Sequence, residues 1–239
     1  MKEYHSEVGF DSTEYFNLKG FTKILTFAKE KKNVRRFDEP LDNACYLRHD
    51  VDFSLNNALI ISEIESEREI KANFFVLVTS PVYNINSLKS VNILRQISSN
   101  GHLIGLHFDP SLYSPEECLE NSLKEIAILE NVLEQKVTSV SIHNPSVHGN
   151  FFEIPEYINA YSTEYFNSGN YLSDSAYEFK TDPIKFIADS DNSSIQILLH
   201  PLHYTTDRFI MKNFIEDLKR EMSDELDSIL KLHRKYPFD

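Results

Sequence analysis

Four apolar runs of strand length end abruptly in acids or imidazoles. ACYLRHDVDF (44–53) closes on Asp50 and Asp52, and LIGLHFD (103–109) on His107 and Asp109. VTSVSIHNP (137–145) reaches His143, and SIQILLHPLHY (194–204) reaches His200. Side chains alternate along a strand, so Asp50 and Asp52 share one face and His49 takes the other, while His107 and Asp109 share a face of theirs. A carboxylate and several imidazoles meeting at one place form a divalent-metal site of the zinc or iron, cobalt, nickel type. A second Asp beside the ligand is placed to act as base on metal-bound water, whose pKa zinc lowers to about 7. His200, on a distant strand, is placed to supply the acid for a leaving group. These residues together point to metal-assisted hydrolysis. Singly they do not: an Asp-x-Asp pair is common in turns, and a lone His after an apolar run is commonly a hydrogen-bonded core residue.

The elements that carry these groups alternate. Between the runs at 44–53 and 72–80 lies SLNNALIISEIESER (54–68), with apolar residues at helical spacing and Ser54 as cap. NSLKSVNILRQISSNG (86–101) reads as a helix closed by Asn100-Gly101. Ser114-Pro115-Glu116-Glu117 has the form of a helix start, with Ser as cap, and predicts a helix to about Leu133. Its core face is expected at Leu119, Leu123, Ile126 and Val132. A charged amphipathic helix is expected from about Asp207 to Arg234, whereas residues 146–193 show no clear period. Strand–helix alternation with apolar strands predicts a parallel sheet, open or closed into a barrel, whose strand C-termini share one mouth. Single-domain organisation over 1–239 is expected, with a helical lead-in (1–43) and a C-terminal helix (205–239).

Composition narrows the partners. With 24 basic against 37 acidic residues the net charge is −13, opposite to what a phosphate backbone or an anionic membrane attracts. The one dense basic run, KEKKNVRR (29–36), reads as a solvated helix end and loop. Cys45 and Cys118 form no disulfide framework and suit a reducing compartment. The first residues, MKEYHSEVGFDS, lack the apolar segment of a signal peptide, and no window reaches the 18–20 apolar residues or so of a spanning helix. A cytoplasmic protein is the expectation, with no nucleic-acid partner and no membrane insertion. Of the other histidines, His102 is expected in loop and cap chemistry, His148 and His203 lie near interesting residues without support of their own, and His5 and His233 lie outside the cluster.

In that order RHDVD, GHLIGLHFD, SIHNPS, YLSDS and ILLHP resemble the motifs of the polysaccharide deacetylase superfamily (NodB homology, carbohydrate esterase family 4). They look most like its divergent intracellular branch found with surface-polysaccharide biosynthesis, and the likeness covers roughly residues 44–204. The resemblance implies a distorted (β/α) barrel of about seven parallel strands. It implies an enzyme that removes N-acyl groups from amino sugars with one divalent metal, zinc by expectation, with cobalt, nickel or manganese as alternatives. Carried over by motif, Asp50 is the base, Asp52 and His107 are metal ligands, and His200 is the acid. Asp174, in YLSDS, takes the place of an Asp that orients that acid. Two departures stand out. Val51 separates acids that are adjacent in the family, and the second metal His, four after His107, is Ser111. His143 is the expected substitute ligand and Asp109 the runner-up. The family's third-motif Arg, which holds the base, is also missing; Arg48 shares a face with Asp50 and is either its stand-in or half of a core ion pair.

The expected substrate is an amino sugar or sugar precursor in surface-polysaccharide biosynthesis. Aromatic residues Phe151, Phe152, Tyr157, Tyr161, Tyr165, Phe166 and Tyr171 are available to stack on sugar rings or to pack the core. Two alternatives stand beside this: a catalytically inactive carbohydrate-binding relative of the same fold, and a metal-dependent phosphohydrolase.

Overall fold

Ala44–Val51 (β2) is fully buried along its length, which requires neighbours on both edges and cover on both faces. In the computed structural model, which describes residues 10–40, 42–145, 152–190 and 193–232, it is an interior strand of a parallel sheet. The other strands are Asn33–Val34 (β1), Asn73–Val76 (β3), Leu103–Phe108 (β4), Ser139–Ile142 (β5), Ile158–Asn159 (β6), Tyr171–Ser173 (β7) and Ile195–Leu199 (β8). Their order is β6-β5-β4-β3-β2-β8-β7, with β1 paired to the start of β2. All pairs are parallel. The sheet curls into a half-barrel that stays open between β6 and β7.

Helix Leu18–Lys31 (α1) precedes β1, helices Leu55–Ser66 (α2), Leu88–Ser99 (α3), Cys118–Leu133 (α4) and Pro183–Asp189 (α5) connect later strands, and Met211–Leu232 (α6) follows β8. Side-chain caps start several of them: Asn17, Ser54, Ser87 and Asp182 each accept a first-turn backbone N–H. Such a cap contributes about 1 kcal/mol to its helix.

Alternation divides β2 between two cores. Cys45, Leu47 and Val51 pack with the helices in the outer core. Ala44 and Tyr46 join Phe37, Phe75, Leu103, Ala160 and Tyr165 in a smaller inner core that plugs the floor of the half-barrel. Above that floor the inward residues turn small or polar. Gly105 lies in a close approach, where a Cβ would come within 2.5 Å of the Phe75 ring and 2.6 Å of the Ser139 carbonyl oxygen. With Ser139 and Ser141 it leaves interior space, and the buried Arg48 side chain is held there by Ser141 and Tyr161.

Three local expectations are corrected. α4 begins at Cys118, one turn after Ser114. The Ser114 hydroxyl donates to Glu117 Oε2 instead of accepting a backbone N–H, so residues 115–117 form a turn. Its buried face is Cys118, Ser122, Ile126, Leu129 and Val132, leaving Leu119 and Leu123 exposed. The polar Ser122 and the buried Glu125, which accepts from the Tyr113 hydroxyl, disguised the phase. Within KEKKNVRR, Lys32 is buried, its Nζ donating to Asn43 Oδ1 and the Ser193 carbonyl. His102 keeps to its expected place in a loop, buried, where it accepts the Ala72 N–H and contacts the Ser62 carbonyl.

Candidate metal and catalytic site

The C-terminal ends of β2, β4, β5, β7 and β8 meet at one mouth, and each delivers one or two of the residues singled out above. Asp52 follows β2, His107 is the penultimate residue of β4, and His143 follows β5. The register pairs His107 with Ser141, which sets His143 level with the end of β4.

Three donor atoms form a tight triangle. His107 Nε2 is 3.0 Å from His143 Nδ1 and 3.3 Å from Asp52 Oδ1, and His143 Nδ1 is 3.5 Å from that same oxygen. Ligands bound 2.0–2.2 Å from one tetrahedral ion stand about 3.3–3.6 Å apart, so the triangle has the dimensions of one face of such a site. Asp52 Oδ1 is buried without a hydrogen-bond partner, the kind of orphan that an ion satisfies. Ser141 accepts from Arg48 and contacts His107 Nδ1 at 3.1 Å. A hydrogen on Nδ1 satisfies that contact and turns the Nε2 lone pair inward, the outer support usual for a histidine ligand. For His143 Nδ1 to donate likewise, Nε2 must carry its hydrogen, which Asn144, 2.9 Å away, accepts once its amide oxygen faces the ring. The residues present therefore fit one divalent ion with N/O preference.

Burial alone would raise the Asp52 carboxyl, but the imidazoles of His107, His143 and His200 outweigh it and hold the group well below the usual carboxylate range. Burial depresses His143, yet Asp52 more than compensates and raises it.

Asp50 is gripped from its own strand. Arg48 Nε donates to Oδ1 at 2.9 Å and Nη2 to Oδ2 at 2.7 Å, a two-pronged bond between buried groups. The guanidinium also lies 4.4 Å from the Tyr161 ring centre. Burial would raise the Asp50 carboxyl; Arg48 first, then His107 and His200, lower it instead.

The far wall is built on Asp174. Its Oδ1 is 2.6 Å from His200 Nδ1, while Oδ2 accepts the His200 backbone N–H, meets His203 Nδ1 at 2.8 Å and accepts the Tyr204 hydroxyl. His200 Nε2 is left facing the mouth, 3.7 Å from Asp52 Oδ2. Burial lowers the His200 pKa, but Asp174 outweighs it and takes the imidazole up to about 9.

A cleft of about 670 Å³ opens over these groups, lined by Asp50, Asp52, His107, His143 and His200 and walled by Tyr161, Phe166 and Tyr171. That volume suits a small molecule or a short segment of a larger one. Tyr165 instead belongs to the inner core, and Phe152 and Tyr157 pack against the outer one.

Asp50, Asp52, His107, His143 and His200 thus converge, with Asp174 behind them. Asp109 does not join them: its Oδ1 accepts the Ser111 N–H and caps a short turn. His49 faces away and meets Glu65 at 2.8 Å. His203 was named without a role, and Tyr204 was missed. A signal was present, since Pro201 opens a 3₁₀ turn in which residues three apart eclipse, setting His203 over His200. His5, His148, Phe151 and His233 lie outside the described residues.

Neither a family model nor a curated protein matches the chain. Solved structures similar in fold include a CE4 family pseudoenzyme from Bacillus anthracis (14% identity, TM-score 0.47), with 78% of this chain aligned to 63% of that one. Another is the Xyl-CE4 domain of a multidomain xylanase from the hindgut metagenome of Trinervitermes trinervoides (17%, TM-score 0.47, 77% of this chain and 82% of that one). A third is the chitin deacetylase from the fungal pathogen Colletotrichum lindemuthianum (17%, TM-score 0.43, 74% and 81%). The chain spans under two thirds of the pseudoenzyme's length.

Proposed function

We propose that the protein is a metal-dependent hydrolase that cleaves an amide on a carbohydrate, with removal of an N-acetyl group from an amino sugar as the foremost reaction. The observation that carries this is the donor triangle of Asp52, His107 and His143, set between a carboxylate held by Arg48 and an imidazole held by Asp174.

In this reading Asp52, His107 and His143 hold the ion. The chemistry a divalent ion supplies there is Lewis acidity toward a carbonyl oxygen and toward water. Asp50 takes the proton from the attacking water. Arg48 keeps it ionised and fixes its plane, so its own lone pairs are presented in one orientation. The hydrogen on His200 Nδ1 is committed to Asp174 Oδ1, which leaves a proton on Nε2 to be delivered to the departing amine. General acid and base assistance of this kind contributes roughly 10²–10⁴-fold each. Tyr161, Phe166 and Tyr171 offer ring faces to a sugar at the cleft wall. Among the described residues no helix is long and apolar enough to cross a membrane, and we place the protein in the cytoplasm, acting on a glycan or glycan precursor in surface-polysaccharide biosynthesis.

Two measurements test this together: metal content after loading with zinc, cobalt or nickel, and acetate release from N-acetylated amino sugars and their oligomers. One ion per chain, lost in Asp52→Ala, with metal-dependent acetate release is the expected result. Metal uptake without release from any N-acyl sugar would mark an inactive carbohydrate-binding relative, and absence of uptake overturns the site.

A further inference from the structure

Asp52 stands on a peptide that is held from outside its own strand. Val51 closes β2 and pairs in register with Val76, the last residue of β3. Ala72 turns its carbonyl toward β4, where it accepts the Leu103 N–H, so Asn73, Phe75 and Leu77 turn their backbone groups toward β2. The rung that follows the Val51–Val76 pair in a parallel ladder therefore runs from the Leu77 N–H to the Val51 carbonyl. A side chain takes both ends of that rung. The Leu77 N–H donates to the Tyr83 hydroxyl at 3.0 Å, and the hydroxyl donates to the Val51 carbonyl at 2.6 Å. A hydroxyl suits the place because it accepts and donates at once.

A turn delivers it there. The Ser80 hydroxyl accepts the Val82 and Tyr83 N–H groups, a side chain–backbone turn that brings the residues after β3 back to the strand ends. The Tyr83 ring packs at the edge of the outer core and shares the walls of a cavity of about 30 Å³ with Phe53, Leu55 and Ile93. Burial raises the Tyr83 pKa by more than the Leu77 N–H lowers it, and Asp52 adds to the rise. The hydrogen given to Val51 is thus kept well above neutral pH.

The consequence falls on Asp52. A peptide unit is planar from one Cα to the next, so fixing the Val51 carbonyl fixes the plane that contains the Asp52 Cα. β3 stands between β2 and β4, with neighbouring strands about 4.8 Å apart. Asp52 Oδ1 reaches across the end of β3 to stand 3.3 Å from His107 Nε2. At that reach a small rotation of the Asp52 peptide carries the oxygen out of the triangle.

We infer that Tyr83 is a positioning residue for the metal site: its hydroxyl sets the Val51–Asp52 peptide, and through it the place of Asp52 in the donor triangle. The inference rests on the proposed role of Asp52 as a ligand.

The test is the zinc affinity of the full chain, read by competition with a chromophoric chelator, with cobalt(II) absorption reporting ligand geometry. Tyr83→Phe keeps the ring and should raise the zinc Kd roughly 10–100-fold and alter the cobalt bands, with unchanged circular dichroism. Ser80→Ala loosens the turn and should raise the Kd by less; it carries the test where Tyr83→Phe does not fold. Ile93→Val trims the same packing without touching the rung and should leave affinity and spectrum as in the wild type. Wild-type zinc affinity in Tyr83→Phe, or in Ser80→Ala where that stands in, overturns the proposal while the metal site stands, as does an equal loss in Ile93→Val. A wild-type chain that takes up no ion removes the site itself, and the proposal with it.

Discussion

Two histidine–carboxylate triads sit within one mouth, and they differ in how their lone pairs are used. Around Asp52, two imidazole nitrogens and a carboxylate oxygen point at one another with that oxygen unpaired. Around Asp174, each carboxylate oxygen already meets a donor, and Oδ2 meets three. Buried polar atoms are ordinarily paired, so the first cluster is incomplete by itself and the second is complete. Proximity of His, Asp and His does not distinguish them; donor bookkeeping does. In the proposed reading the first takes up an ion and the second holds a proton-carrying side chain still.

The largest expected effects break the contrast outright. Asp52→Ala and His107→Ala should abolish metal binding and lower activity to background, while Asp174→Asn should leave metal content intact and cut kcat by roughly 10²-fold or more through misoriented His200. Elemental analysis beside steady-state kinetics separates the two, and loss of metal in Asp174→Asn would sink the distinction. Next come the two acids of Asp-Val-Asp, which should diverge in stability. Asp50→Ala strands a buried guanidinium and should cost about 3–5 kcal/mol, whereas Asp52→Ala relieves an unpaired oxygen and should cost far less; urea denaturation of the metal-free proteins measures both.

pH gives a subtler test. His200 must hold its proton to act, and Asp174 keeps its pKa up at about 9, so activity should persist through neutrality and fall as pH rises past about 9. Asp174→Asn removes the anion responsible, so this limb should move toward lower pH. The same raised pKa stabilises the fold fully below the histidine's ordinary 6.5 or so, and that stabilisation is lost as pH climbs through about 9. The smallest expected effect belongs to His203→Gln: metal content unchanged, kcat down several-fold, and the alkaline limb displaced because Asp174 has lost one of its donors. An unmoved limb would make His203 a packing residue only.

Much of this was legible where the chain is regular. Asp50, Asp52, His107, His143 and His200 were visible because each interrupts an apolar run at the end of a strand, and period-two alternation told Asp52 from His49. Arg48 was ambiguous, since alternation says which face a side chain takes but not which partner it finds there; the inward space left by Gly105, Ser139 and Ser141 decides that. His203 and Tyr204 were obscured by a 3₁₀ turn too short to show a period. In α4 the phase slipped because buried Ser122 and Glu125 occupy positions where apolar residues were expected. Residues 152–182 hold short strands and turns whose order comes from side chain–backbone bonds, such as those from Gln196 to the Ala160 and Tyr165 carbonyls, and these have no signature in hydropathy.

The absent side chain at Gly105 has a consequence of a mechanical kind. It sits two residues before His107 on β4, pressed against the Ser139 carbonyl of β5, four residues before His143. A single methyl group there would act as a wedge between adjacent staves, and the splay would be transmitted along both to the rim where the imidazoles face each other. The gap between those two rings is thus gauged from below, by an atom the chain leaves out.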